Sequence, residues 1–96
     1  VAEIISGKPY KVIHKNSKFE TRVFSSDVDD SEFVWHRDTE DRELEILEGN
    51  GWQFQFDKCL PWLLEKGMIF DIQHTEYHRL IKGQGQLKVR IYRNVK

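Results

Sequence analysis

The sequence is most informative first for what it lacks. Cys59 is its only cysteine in 96 residues, so no disulfide can form within the chain. That cysteine usage leads to the expectation of a reducing, cytoplasmic setting. No histidine adjoins Cys59 to activate it as a nucleophile. No apolar run approaches the ~20 residues that a membrane-spanning helix requires, and Val1–Tyr10 has neither the basic start nor the apolar core of a secretory leader. No membrane partner is therefore expected. Positive charge is not in excess either, since the net charge is -1, which argues against a nucleic-acid partner. A glycine loop for phosphates, a Ser/His/Asp series and zinc-finger spacing are all missing.

Aromatic residues, by contrast, are plentiful. Three Trp, six Phe and three Tyr suit a small domain that must fill its centre with few side chains. Ninety-six residues suffice for one domain, 1–96, and not for two. Charge is unevenly placed: Asp27 to Glu48 carries ten acids against Arg37 and Arg42, while Arg79 to Lys96 carries six bases and no acid. The simplest reading is solvated strands that pair across a sheet or across a dimer.

Along the chain the period is two, the period of strands. Ala2–Ser6 and Tyr10–His14 read as short strands divided by Gly7-Lys8-Pro9. Lys18–Ser25 alternates, with Phe19, Thr21 and Val23 on one parity and Glu20, Arg22 and Phe24 on the other, and reads as an edge or outer strand. Asp27–Ser31 has loop composition. Val34, His36 and Asp38 share a parity, as do Arg42, Leu44 and Ile46 beyond the turn Thr39-Glu40-Asp41. Glu48-Gly49-Asn50-Gly51 signals a hairpin with positive φ at Asn-Gly, returning through Trp52–Asp57. Met68, Phe70 and Ile72 mark the next buried strand, followed by the polar turn Gln73–Glu76. His78–Lys82 follows, then a second hairpin at Gly83-Gln84-Gly85, then Leu87, Val89 and Ile91. The expected class is all-β: a small double-stranded β-helix, or jelly-roll barrel.

The spacing His36-x-Asp38, Arg42 and Gly49, followed by Gly67 and His78, resembles the two signature motifs of the cupin superfamily. The phrases Leu47-Glu48-Gly49-Asn50-Gly51 and Tyr77-His78-Arg79-Leu80 carry the match, which covers about 33–92. Asp38 stands where the family pattern has its second His, Arg42 where it has Glu, and Gln73 where it has Pro. The resemblance implies a barrel with a mononuclear metal site in its interior. His36, Asp38 and His78 are then its ligands, a two-histidine, one-carboxylate set suited to Fe(II), with Mn, Ni or Zn as alternatives. This order is also similar to the iron site of 2-oxoglutarate oxygenases, where a basic residue on a late strand, here Lys88 or Arg90, holds the cosubstrate.

His74 and Glu43 are the weaker alternates as ligands. Arg42 is expected to orient a small polar or carboxylated ligand, with Trp52, Phe54, Phe70, Tyr77 and Arg90 lining its pocket. Each has a plainer role: aromatics at strand spacing are usually core, His74 is a solvated turn residue, and His14 is surface. Arg42 paired with Asp38 would replace the metal altogether, leaving a metal-free binding or interaction module. Oxygenase or isomerase-type chemistry is the corresponding enzymatic expectation. A homodimer through strands near Val1–Phe24 is compatible with both.

Overall fold

The computed structural model describes residues 10–27 and 33–93. Their eight strands are β1 (Tyr10–Lys15), β2 (Phe19–Ser25), β3 (Arg42–Asn50), β4 (Gln53–Phe56), β5 (Trp62–Leu63), β6 (Ile69–Ile72), β7 (His78–Ile81) and β8 (Gln84–Arg93). Among the described residues there is no helix, and hence none long and apolar enough to cross a membrane. The expected strand at Ala2–Ser6 lies outside the described residues, as does most of the loop expected at Asp27–Ser31.

A five-stranded sheet, ordered β1-β2-β8-β3-β6, faces a three-stranded sheet, β5-β4-β7. All pairings are antiparallel. The architecture is the all-β jelly roll that the alternation predicts. β8 is the clearest case: Leu87, Val89 and Ile91 point inward and are nearly inaccessible, while the residues between them face out. Leu44 and Ile46 of β3 and Phe24 of β2 join them from the same sheet; Trp52 and Phe54 close the core from the other side. The uneven charge is resolved by register, because acidic β3 lies beside basic β8. Glu48 meets Lys88 at 3.7 Å and Glu45 meets Arg90 at 3.8 Å on the outer face.

Three expectations are corrected. β2 is an interior strand, hydrogen-bonded to β1 on one side and to β8 on the other. Its polar residues suggested an outer position, but Glu20 is buried and satisfied by Arg22 and Arg93. Second, Gly49-Asn50-Gly51 does not close a hairpin. β3 pairs with β6 and β8, whereas β4 pairs with β5 and β7, so the turn carries the chain from one sheet into the other. Gly51 takes the positive φ of 76°, while Asn50 stays in β3 opposite Gln84.

Third, Gly83-Gln84-Gly85 is likewise a crossing, from β7 back to β8. The two crossings touch. A Cβ at Gly83 would overlap the Asn50 carbonyl oxygen and the Trp52 amide nitrogen, so only glycine allows the corners to meet this closely.

Candidate metal centre

His36 and His78 face each other across an isolated antiparallel bridge. Each amide donates to the other's carbonyl, His36 to His78 at 3.0 Å and His78 to His36 at 2.8 Å. Residues directly opposite in an antiparallel pair send their side chains to the same face, and the two rings accordingly sit 4.4 Å apart. Asp38 lies two residues beyond His36, where alternation returns its side chain to that face. Its Oδ2 is 3.5 Å from His78 Nε2 and its Oδ1 is 3.9 Å from His36 Nε2.

Both tautomers are set by the backbone. His36 Nδ1 lies 3.0 Å from the Val34 carbonyl and His78 Nδ1 lies 3.0 Å from the Glu76 carbonyl. An Nδ1–H donated to each carbonyl leaves both Nε2 lone pairs turned toward Asp38, as metal-ligating histidines require. His78 is buried beneath the Phe54 ring at 5.3 Å. Burial lowers its pKa, and the nearby His36 and Arg42 reinforce this against the opposing effects of the Glu76 carbonyl and Asp38. A neutral imidazole is the form that binds metal.

One donor atom from each of His36, Asp38 and His78 lies within 4.8 Å of the others. Two imidazoles and a carboxylate on one face fit a first-row divalent ion. Arg42 also reaches the site, its Nη1 3.3 Å from Asp38 Oδ1. That contact holds the carboxylate in place, and it is also the ion pair that would stand in for a metal. The Arg42 Nε is buried with no hydrogen-bond partner among the described residues.

The triad and Arg42 open onto a cavity of about 460 Å³ whose walls are mainly apolar, with Phe54 and Ile72 near the triad and Phe24 and Val89 beyond. Arg22 lines it too. Sequence reasoning did not single out Arg22, although its shared parity with Phe24 was the available signal.

The remaining expected residues lie elsewhere. Arg90 is corrected: the inward set of β8 is Leu87, Val89 and Ile91, so Arg90 points out, over the Phe19 ring and toward Glu45. Lys88 faces out beside Glu48 for the same reason. His74 is taken by Asp41, whose Oδ1 receives its amide at 2.9 Å and meets its Nδ1 at 2.7 Å. Glu43 is exposed on the outward parity of β3. Neither of these alternates is in the ligand cluster. Trp52 is wholly buried among core aromatics and does not line the cavity. Phe70 packs against Phe54 and Trp62 behind it. Tyr77 is exposed beneath the Arg37 guanidinium. Of the expected pocket residues, Arg42 and Phe54 line the cavity.

No family model matches the chain, and no curated protein matches it. Solved structures do. A cupin-2 domain containing protein from Shewanella frigidimarina superposes with a TM-score of 0.60 at 21% identity, over 86% of this chain and 76% of its own. An RmlC-like cupin protein from Desulfovibrio desulfuricans gives 0.57 at 12% identity, over 96% and 89%. Fe(II)-HppE with the alternative substrate (S)-1-HPP gives 0.64 at 18% identity over 88% of this chain, which spans about half, 48%, of that larger protein. At these identities the likeness speaks for the fold, and it agrees with the all-β, two-sheet architecture: the chain is a cupin-fold protein.

Proposed function

We propose that this chain binds a divalent first-row metal, Fe(II) favoured, through His36, Asp38 and His78, and a small carboxylated molecule in the adjoining cavity. The observation that carries the reading is the convergence of the three donors, with both imidazoles turned by backbone carbonyls so that Nε2 faces the carboxylate. The Fe(II) named for the HppE structures adds support for iron. When bound, such an ion supplies Lewis-acid or redox chemistry to a ligand oxygen, consistent with oxygenase or isomerase-type reactions. Arg42 orients the anionic ligand at this end, with its fork shared between that ligand and Asp38. Phe54 and Ile72 keep the wall beside the triad dry.

Elemental analysis of untagged protein tests this directly. Near-stoichiometric metal in the wild type, lost in His78→Ala, is the expected result. No metal after anaerobic reconstitution with Fe(II), Mn(II), Ni(II) or Zn(II) would overturn it.

The Asp38–Arg42 contact at 3.3 Å supports a second reading, a metal-free binding module in which that ion pair is permanent. It requires that a chelator change neither stability nor ligand binding. A homodimer remains part of the proposal, supported by exposed Val12 and Ile13 on β1, one of the two edge strands of the larger sheet among the described residues. A concentration-independent monomer in sedimentation would remove it.

A further inference from the structure

Arg22 is an unusual residue to find on a cavity wall. Its side chain is only 15% exposed and it lines the cavity beside Phe24, Tyr10 and Val89. Its Nε is held by Glu20 Oε2, and its guanidinium carbon stacks 4.0 Å from the centre of the Tyr10 ring. Glu20 is not Arg22's alone, because its other oxygen accepts from Arg93 at 2.8 Å. The guanidinium plane is therefore fixed by an ion pair and an aromatic face. Among the described residues only its Nε meets a protein acceptor, which leaves the Nη groups available to a ligand.

The register locates this cation relative to the triad. Arg22 lies opposite Val89, and Val89 opposite Ile46. Arg22 is thus level with Ile46, four residues along β3 from Arg42 and two strands away in the order β2-β8-β3. At strand dimensions that separates the two Cα atoms by roughly 16 Å, and each arginine side chain then closes several ångströms of the gap. The wall between them is apolar, formed by Leu44, Val89 and Ile91. Among the described residues the charged members of the lining are Arg22, Arg42 and Asp38. Asp38 faces Arg42 and Glu20 faces the Nε of Arg22, so each guanidinium keeps N–H donors beyond its own ion pair, and a carboxylate is the acceptor that suits them. At this separation one carboxylate cannot reach both.

We propose that Arg22 is a second anion-binding point of this cavity and that the cavity's ligand class is the small dicarboxylates, one carboxylate at Arg42 and the triad, the other on the Nη edge of Arg22. This deepens the reading of the same site given above and rests on it for the first carboxylate only. The apolar wall selects an unbranched or weakly polar chain between the two acids. Glu20, which is not part of the lining, and Tyr10, whose ring faces the guanidinium, are positioning residues that hold the fork of Arg22.

The test is calorimetric titration of the full chain, as purified and after chelation, with the straight-chain dicarboxylates from succinate to suberate and the monocarboxylates of equal length. For the best chain length, the dicarboxylate is expected to bind about tenfold or more tightly than its monocarboxylate. In Arg22→Gln that ratio falls to about one with metal content unchanged, and in Arg22→Lys, which keeps charge but loses the fork, it recovers in part. A wild-type ratio near one, or a ratio that survives in Arg22→Gln, overturns the proposal.

Should Arg22→Gln fail to fold, guanidinium NMR of the wild type decides. The Arg22 resonance must shift with the dicarboxylate and not with the monocarboxylate, and absence of a shift is equally fatal. Metal content separates this failure from that of the parent reading. A dicarboxylate preference that requires Arg22 in protein holding no metal leaves the second anion site standing and removes the metal. Bound metal without the preference does the reverse.

Discussion

His36 and His78 are joined by two backbone hydrogen bonds, at 3.0 and 2.8 Å, so their approach does not depend on the imidazoles themselves. The rings differ sharply in exposure, 51% for the His36 side chain and 5% for that of His78. His36→Ala should therefore remove a metal ligand at little structural expense. Its metal-free form is expected to melt within a degree or two of metal-free wild type, since exposed substitutions usually act within about 0.5 kcal/mol. His78→Ala removes a buried ring stacked on Phe54 and should lower that melting point by several degrees, about 1–2 kcal/mol. Both variants should lose the metal. Calorimetric scans with parallel metal analysis check the pair, and retention of metal by His36→Ala would exclude it as a ligand.

Arg42 distinguishes the metal site from the salt bridge that would replace it. With a metal present, Arg42→Ala leaves three protein ligands intact, and metal content should be unchanged while carboxylate binding weakens about tenfold or more. With no metal, the same change leaves Asp38, whose side chain is only 9% exposed, without its guanidinium partner and facing only the two imidazoles. Stability at neutral pH should then drop by at least about 3 kcal/mol. Melting curves with and without chelator separate the two, because chelation destabilises only a protein whose folded state holds the ion.

Much of this site was legible because it rides on strand periodicity. Leu44, Ile46, Leu87, Val89 and Ile91 face inward as their alternation predicts, and the parity of His36, Asp38 and Arg42 carries them to a common face. Two kinds of feature were not legible. Glycine-rich turns read as hairpins because local composition fixes that the chain bends and leaves open which sheet it bends into; the pairing of Asn50 with Gln84 is a long-range fact. Arg22 and Glu20 were hidden because a charged residue in a strand ordinarily marks the solvent face, and only the shared ion pairs with Arg93 make an inward charge tenable. Arg90 is the opposite case, a base placed by its own alternation on the outside.

Glu20 carries a pH dependence whose sign follows from its surroundings. Burial by itself would raise its pKa, but the hydrogen bond and charge of Arg22, aided by Arg93 and Lys15, outweigh burial and leave it below the ordinary value of 4.5. A carboxylate with a depressed folded-state pKa contributes stability that is complete above the unfolded value. That stability is lost as the pH falls from there through the folded value. Wild type should thus lose stability below about pH 4.5. Glu20→Gln, which leaves Arg22 and Arg93 without their shared anion, should be less stable by about 2 kcal/mol at pH 7. Denaturant titrations at pH 7 and pH 3 should show that difference shrinking with acid. A difference that holds constant would mean that packing, and not charge, is what Glu20 supplies.

Gly83 is where the two inter-sheet crossings press on each other. The contact is backbone to backbone: an added Cβ would meet the Asn50 carbonyl oxygen, the Trp52 amide nitrogen and the Gly51 carbonyl carbon. None of these can swing aside as a side-chain tip would, so Gly83→Ala must separate the corners or break the pairing of Asn50 with Gln84. Gly85 offers the contrast, with no atom of the described residues within 4 Å of its added Cβ but a positive φ of 66°. There the penalty for alanine is only the backbone strain of the left-handed region, about 1 kcal/mol. Gly83→Ala should exceed that clearly, at about 3 kcal/mol or more. Because Trp52 lies at the centre of the core, the damage should also show as a changed tryptophan emission, which Gly85→Ala should leave alone. Equal melting points for the two variants would mean that the corners are not in contact in solution.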